Sequence, residues 1–273
     1  MNRRGSGQIR LVVFDWAGTS VDHGCFAPIR PFVETFATLG IRLSADEARG
    51  PMGLHKKDHL RALLAIPEIT ERFTGAMGRA PTEADVERLY EREFVPRQME
   101  ALRGAGRPID GVVEAVAWLR KRGIRIGSST GYFRDALEAV AAEAARAGYS
   151  PDFAFCPGDV PAARPAPWMI FRNMEAAGVF PPRDVLKVGD TLPDIEEGLN
   201  AGVWTAAVAR TGSEVGLSAP ELEALPDAER AKRISRARER LAGGGAHFVI
   251  DSVAELPGLV REIDTRLSRG EVP

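Results

Sequence analysis

Short apolar runs, each followed by polar or glycine residues, recur along the chain and alternate with helical patterns in its second half. The first run, residues 9–14, ends at Asp15. Similar runs follow at 124–128, 152–155, 185–188, 203–209 and 247–250. The helical patterns between them lie at 112–122, 134–147, 168–177 and 194–201. Buried strands that alternate with helices are typical of a parallel sheet with helices on both faces. The sequence therefore predicts an α/β fold with a Rossmann-like parallel core.

The interval between the first and second runs is the exception to this alternation. A crossover between parallel strands needs about a dozen residues, whereas this interval extends from residue 15 to residue 123. It contains helical patterns at 27–40, 44–49, 57–65 and 82–99, and Ser44 with Glu47 forms the pattern of a capping box. We predict a helical cap domain of residues 23–103, inserted into a core of residues 1–22 and 104–273. The charged stretch 220–241 is predicted as one helix before the last strand.

Charge and cysteine usage restrict the class of protein. The 273 residues include 36 basic and 38 acidic side chains, a formal net charge of −2, which gives no electrostatic reason to expect a nucleic acid or an anionic membrane as partner. No run is long enough to span a bilayer, and the one after the charged N-terminus is too short for a signal peptide. Cys25 and Cys156 form neither a disulfide framework nor a metal-ligand pattern, so we expect a cytoplasmic protein.

Polar residues that could act in catalysis or bind a metal ion follow several of the predicted strands. Asp15 follows the first run, Thr130 the second, and Asp190 with Asp194 a later one. An isolated Asp after a strand most often forms a turn, but these groups meet at one sheet edge, where two carboxylates can hold a hard divalent cation. Arg164, which precedes a predicted helix, is interpreted either as a clamp for phosphate oxygens or as a surface ion pair.

Three segments resemble the motifs of the haloacid dehalogenase superfamily. They are Phe-Asp-Trp-Ala-Gly-Thr at 14–19, Ser-Ser-Thr-Gly at 128–131 and Lys-Val-Gly-Asp-Thr-Leu-Pro-Asp at 187–194. The resemblance implies that Asp15 is the nucleophile of an aspartyl-phosphate intermediate and that Thr130 binds the phosphoryl group. It also implies a Mg²⁺ ion held by Asp15, the Ala17 carbonyl and Asp190, with Asp194 in support.

Position 17 departs from the common pattern of that superfamily. A second Asp usually stands there and protonates the leaving oxygen of a phosphate ester, whereas this chain has Ala17. Losing a general acid typically costs on the order of 10²-fold to 10⁴-fold in rate. The chain is therefore either a weak phosphatase or an enzyme whose leaving group needs no such acid.

The cap contains a second reactive pair, Lys56 and His59, which share a face if their segment is helical. A lysine beside a protonatable His in a closed pocket has its neutral amine favoured, and such an amine can form a Schiff base with a carbonyl substrate. A solvated helix start explains the same two residues if the segment is considered alone.

The cap and core motifs together resemble the phosphonoacetaldehyde hydrolase family. The matching residues are Cys25, Pro-Met-Gly-Leu at 51–54, Lys56, His59, Gly131, Tyr132, Asp-Val-Pro-Ala-Ala-Arg-Pro at 159–165 and Gly-Ala-His-Phe at 245–248. The resemblance implies that Lys56 forms an imine with a small phosphonate aldehyde while Asp15 takes the phosphoryl group. It further implies a homodimer that pairs through the cap.

The same resemblance assigns pocket roles to further residues, which are His59, Cys25, Met52, Gly53, Gly131 and Tyr132. For Met52 and Cys25, simple packing of the cap is an equally good interpretation, since both residue types are commonly buried. Two other functions remain open at this point. One is a phosphatase or sugar-phosphate mutase with the same fold, and the other is a non-catalytic receiver-like signalling domain in which Asp15 is phosphorylated.

Overall fold

The computed structural model describes residues 7–273, and its core is an open parallel sheet. Within these residues the sheet has six strands, in the spatial order β3-β2-β1-β4-β5-β6. The strands are β1 (Leu11–Phe14), β2 (Arg125–Ser129), β3 (Phe153–Phe155), β4 (Val185–Gly189), β5 (Trp204–Val208) and β6 (Phe248–Ile250). The predicted α/β class is confirmed, and β1 lies in the middle with β2 on one side and β4 on the other.

The central strand is apolar throughout because helices cover both faces of the sheet. Val12 and Phe14 pack into one hydrophobic cluster, and Leu11 and Val13 pack into another on the opposite face. The covering helices of the core are α7 (Val112–Lys121), α8 (Arg134–Arg146), α9 (Trp168–Ala177), α10 (Leu192–Ala201), α11 (Ala219–Ala224), α12 (Asp227–Gly243) and α13 (Leu256–Ser268). None of the helices in residues 7–273 has the length and apolar character needed to cross a bilayer.

A helical unit lies between β1 and α7, as the long interval predicted. Its helices are α1 (Phe26–Ala37), α2 (Ala45–Arg49), α3 (Lys56–Leu64), α4 (Pro67–Met77), α5 (Glu83–Arg88) and α6 (Val95–Ala101), with a π-helical turn at Leu89–Phe94 joining the last two. They enclose a hydrophobic cluster of their own around Phe32, Leu60 and Phe73. The predicted capping box of Ser44 and Glu47 begins α2. The boundaries 22/23 and 103/104 remain predictions, and residues 1–6 of the predicted core lie outside the described residues.

Three details of the prediction differ from the structure. The charged stretch 220–241 forms two helices rather than one, because the chain leaves helical geometry at Leu225 and restarts after Pro226, whose ring cannot continue a preceding helix. The helix α4 was not predicted, although Pro67 at its first turn is typical of a helix start. The final helix α13 was also not predicted.

Candidate active site

Three neighbouring strands deliver their terminal polar groups to one point. Asp15 follows β1, Thr130 follows β2 and Asp190 follows β4, and these strands are adjacent in the sheet. The Asp15 amide donates to the Val188 carbonyl at 2.8 Å, so the chain remains in register with β4 up to the carboxylate. The carboxyl ends of parallel strands lie at one edge of the sheet. Asp15 is therefore close to Thr130 and Asp190, although more than a hundred residues separate it from either of them in the sequence.

Arg164 is directed at protein groups rather than at open space. It is 4% exposed, and its Nη1 lies 2.8 Å from both Asp15 Oδ1 and Asp194 Oδ1. Its Nε donates to Glu197 Oε2 at 2.9 Å, and its Nη2 donates to the carbonyl and hydroxyl oxygens of Ser129. The alternative of a surface ion pair is wrong. In this arrangement Arg164 orients the Asp15 carboxylate.

Three carboxylates form a possible metal site. Oxygen atoms of Asp15, Asp190 and Asp194 lie within 4.8 Å of one another, and all three residues are buried. Burial, together with the repulsion between Asp15 and the other carboxylates, raises the pKa of Asp15 to about 6 and that of Asp190 to about 7. Burial alone raises the pKa of Asp194 as well, but Arg164 and Lys187 outweigh it and the net shift is downward.

The charge balance of this cluster fits a divalent cation. The four buried carboxylates of Asp15, Asp190, Asp194 and Glu197 outnumber the three buried cations Arg164, Lys187 and Lys56, which leaves a net charge of −1 when all of these groups are ionised. A hard ion with oxygen ligands would neutralise this excess. Asp194 already uses Oδ2 to cap α10 through Thr191 and Oδ1 to pair with the two cations, so it is suited to supporting the site.

Asp190 is held by groups from separate parts of the chain. It accepts hydrogen bonds from the Thr19 hydroxyl at 3.1 Å and the Ser213 amide at 2.8 Å, and from the Cys25 thiol at 3.4 Å. Burial and then the charge of Asp190 raise the pKa of Cys25 well above its usual value, so the thiol remains protonated and acts as a donor. These contacts aim the Asp190 carboxylate at the site.

The cap reaches the same point through the start of α3. Lys56 is 3% exposed, and its Nζ lies 5.4 Å from the ring centroid of Tyr132, a core residue. A cavity of about 20 Å³ is lined by Lys56 and Asp15 together. The other lining residues are Ala17, Pro28, Met52, Gly53, Thr130, Gly131, Tyr132, Arg164 and Thr191. A volume of this size holds about one water molecule, so the cap is closed over the site.

Backbone contacts at two glycines make this closure possible. Gly53 in the cap has a φ of +94°, and a Cβ built there would lie 2.3 Å from Thr191 Oγ1. A Cβ on Gly131 in the core would lie 2.5 Å from the Leu54 carbonyl oxygen. Any larger side chain at these positions would separate the cap from the core.

The comparisons with known proteins agree with this geometry. A family model for haloacid dehalogenase-like hydrolases matches residues 9–202. A phosphonoacetaldehyde hydrolase of Bacillus cereus is 47% identical over 94% of this chain and 97% of its own length. The phosphonoacetaldehyde hydrolase of Syntrophobacter fumaroxidans is 43% identical over 100% of this chain and 98% of its own. The chain belongs to the phosphonoacetaldehyde hydrolase family.

A solved structure extends the likeness of this hydrolase family member to three dimensions. The crystal structure of a phosphonoacetaldehyde hydrolase-like protein from Oleispira antarctica superposes with a TM-score of 0.96, at 36% identity and 100% coverage of both chains. The cap and core are therefore arranged as in a solved relative. The predicted membership of the haloacid dehalogenase superfamily is confirmed.

His59 occupies a different position in this hydrolase from the one its spacing suggested. It is fully buried, stacks on Phe32 with ring centroids 3.8 Å apart, and its Nε2 lies 2.8 Å from the Ala48 carbonyl oxygen. Since a carbonyl only accepts, Nε2 carries the proton. Burial and then Lys56 lower the pKa of His59 well below its usual value. The explanation that a charged His59 favours the neutral amine of Lys56 is therefore wrong.

Burial is also the main cause of the pKa shift of Lys56. It lowers the pKa of the amine to about 8, although the charge of Asp15 acts in the opposite direction. Of the remaining predicted residues, Met52 packs in the hydrophobic cluster of the cap and also lines the cavity. Both interpretations of Met52 thus apply at once.

The sequence analysis missed a buried network behind Asp15. Ser129 donates to Glu197 at 2.9 Å and accepts from Lys187 at 3.0 Å, and Lys187 also pairs with Asp194 at 2.8 Å. One signal was available, since Lys187 is one of only five lysines in a chain that otherwise uses Arg, and it lies inside an apolar strand. Glu197 gave no signal, because a Glu within a helix most often faces solvent.

Proposed function

We propose that this protein hydrolyses the carbon–phosphorus bond of phosphonoacetaldehyde to acetaldehyde and phosphate. The observation that carries the proposal is that Lys56 of the cap and Asp15 of the core line one closed cavity. A phosphatase needs only the second of these groups. The named relatives are phosphonoacetaldehyde hydrolases, and the match covers 97% and 98% of their lengths.

The cap amine supplies the electron sink that this bond requires. The Lys56 Nζ adds to the aldehyde carbon with loss of water and forms an iminium ion. Asp15 then attacks phosphorus in line, and the electron pair of the carbon–phosphorus bond moves onto carbon to give a neutral enamine. Ala17 offers no proton at this step, and none is needed, because the iminium nitrogen accepts the charge.

The core residues complete the turnover. Water hydrolyses the aspartyl-phosphate and restores Asp15, while the enamine is protonated at carbon and the resulting iminium is hydrolysed to acetaldehyde and free Lys56. Thr130 binds the phosphoryl oxygens at the mouth of the sheet. Arg164 keeps Asp15 pointed at phosphorus, a role we propose in place of a direct phosphate clamp.

We further propose that Asp15, the Ala17 carbonyl and Asp190 hold Mg²⁺, with Asp194 in support. Such an ion supplies positive charge that stabilises the transferring phosphoryl group. The net charge of the carboxylate cluster supports this assignment. Met52, Gly53, Gly131 and Tyr132 line the cavity in this proposal, whereas Cys25 supports Asp190 and His59 packs against Phe32 outside the cavity lining.

Closure of the cap and the assembly of the protein belong to the same proposal. We propose that residues 23–103 move as a unit, because the closed cavity has no room for a substrate to enter. The molecule is proposed to act in the cytoplasm as a homodimer that pairs through the cap, on a small-molecule phosphonate, without nucleic-acid or membrane partners.

The test is incubation of the Mg²⁺-loaded protein with phosphonoacetaldehyde, with and without borohydride. We expect phosphate release without borohydride and a reduced adduct on Lys56, located by mass spectrometry, with it. Lys56→Arg should give neither product, and Lys57→Arg is its matched control, since Lys57 pairs with Glu87 at the cap surface. Folded protein that releases phosphate from esters but forms no adduct would instead be a phosphatase. A long-lived acyl-phosphate without turnover would indicate a receiver-like domain.

A further inference from the structure

The loop between β5 and α11, residues 209–218, supports the metal site from behind. The Ser213 amide donates to Asp190 Oδ2 at 2.8 Å. The Thr211 hydroxyl donates to the Gly18 carbonyl at 2.7 Å, one residue after Ala17. The loop thus contacts both sides of the proposed ion site, and its position sets the direction of the Asp190 carboxylate.

A guanidinium of the cap contacts this loop. Arg49, the last residue of α2, donates from Nη1 to the Gly24 carbonyl at 2.8 Å and from Nη2 to the Gly216 carbonyl at 3.1 Å. The Arg49 guanidinium packs closely against Gly216, since a Cβ built on Gly216 would lie 2.7 Å from the Arg49 Cζ. The guanidinium also lies over the ring of Phe26, 5.6 Å from its centroid.

The segment that leads from β1 into the cap, which contains Gly24, also contacts the loop. The Gly24 amide donates to the Thr211 carbonyl at 2.8 Å, so Arg49 and the loop are connected both directly and through the linker. The loop has anchors within the core too, since Arg240 pairs with Glu214 at 2.8 Å and Arg233 donates to the Val215 carbonyl. Those two arginines lie on α12 and do not depend on the cap. Arg49 is the side-chain anchor that α2 of the cap supplies.

We propose that Arg49 is a positioning residue that couples cap closure to the affinity of the carboxylate cluster for its divalent cation. When the cap is closed, Arg49 holds the loop so that the Ser213 amide points at Asp190. When the cap opens, that hold is lost and Asp190 is less well oriented. Because such coupling is reciprocal, the ion in turn favours the closed cap. The inference rests on the proposed Mg²⁺ site but not on the identity of the substrate.

The test measures Mg²⁺ binding to the full chain by titration calorimetry without substrate. Arg49→Met keeps the unbranched stem and removes the guanidinium. We expect its Kd for Mg²⁺ to rise about tenfold, the lower end of what the loss of an outer contact to a metal ligand costs. Its kcat should recover toward the unmodified value at saturating Mg²⁺, because Arg49 is absent from the cavity lining. Arg30→Met is the control, since Arg30 forms an exposed pair with Glu34 in the same cap.

The outcomes separate this inference from the proposed function. A folded Arg49→Met protein with the Kd of the unmodified chain would overturn the inference, whatever its activity. If that variant does not fold, Arg49→Lys takes its place, because one ammonium cannot serve both carbonyls as the planar fork does. A rise in Kd smaller than that of Arg49→Met, but above the value of the Arg30→Met control, is then expected. An unmodified protein that binds Mg²⁺ yet leaves phosphonoacetaldehyde intact would overturn only the proposed function.

Discussion

The amine of Lys56 in the cap lies 5.4 Å from the ring centroid of Tyr132 in the core. The contact joins the two parts of the protein at the site where the proposed reaction takes place. An aromatic face attracts an ammonium by roughly 0.5–2 kcal/mol, so it holds the side chain in place without forming a hydrogen bond to it. The amine remains available to a carbonyl carbon.

We expect the ring of Tyr132, rather than its hydroxyl, to hold the Lys56 side chain in place. The hydroxyl is buried and has no hydrogen-bond partner among the described residues. Tyr132→Phe should therefore raise the free energy of unfolding by about 1 kcal/mol, since a buried unsatisfied group is removed. Tyr132→Leu should slow imine formation, because the amine loses its aromatic contact. Denaturant unfolding and borohydride trapping measure the two effects, and a destabilised Tyr132→Phe would contradict the first.

Burying Lys56 should cost stability at neutral pH. Its folded-state pKa of about 8 lies below the ordinary value of 10.5, so between these pH values the unfolded chain binds a proton that the folded chain does not. Stability therefore rises with pH across that window, and the full cost is present below it. Lys56→Met should raise the free energy of unfolding at pH 7 by up to about 3 kcal/mol and abolish turnover.

The gain from Lys56→Met should shrink as the pH rises from 8 to 10.5. Urea unfolding at several pH values measures it, with Lys57→Met as the surface control. A gain that is the same at every pH would show that the charge of Lys56 is not its cause.

The rate of imine formation should follow the neutral fraction of the same amine. Below pH 8 the neutral fraction of Lys56 rises about tenfold per pH unit, and above pH 8 it levels off. Rapid-quench borohydride trapping from pH 6 to 9, read out by mass spectrometry of the Lys56 peptide, gives the profile. A rate still rising steeply at pH 9 would mean that burial does not lower the pKa in solution.

Glu197→Gln should slow the chemical step with little change in KM. Glu197 contacts Arg164, Ser129 and Lys187 but does not line the cavity, so its loss acts by letting Arg164 and then Asp15 shift. Misplacement of about 1 Å costs roughly 100-fold in rate. Steady-state kinetics on phosphonoacetaldehyde measure the effect. The neighbouring exposed residue supplies the control Glu196→Gln, and equal effects in both variants would refute a specific role for Glu197.

Gly131→Ala should prevent full closure of the cap while leaving the core folded. The added methyl group would lie 2.5 Å from the Leu54 carbonyl oxygen. We expect kcat/KM to fall by about 100-fold with little change in Tm. Gly75→Ala is the control, because Gly75 lies within α4 with nothing within 4 Å of its added Cβ. Full activity of Gly131→Ala would show that the cap closes differently during turnover.

The residues that meet at strand ends were predictable because their order along the chain reflects the sheet. Asp15, Thr130, Asp190 and Asp194 each follow an apolar run, and parallel strands bring such positions to one edge whatever lies between them. The insertion was predictable from chain length, since no crossover needs so many residues. Ala17 showed directly that the usual general acid is missing, and its absence argued against phosphate-ester hydrolysis as the main activity.

The tertiary structure decided everything that depends on burial and on contacts between distant residues. The spacing of Lys56 and His59 suggested that one charge shifts the other, but both side chains are buried, and loss of solvation sets each pKa. Glu197 is an ordinary helical residue in the sequence, and only packing against Arg164 and Lys187 makes it part of the site. Arg49 gave no signal either, because its partners Gly24 and Gly216 accept through backbone carbonyls, which no side-chain pattern records.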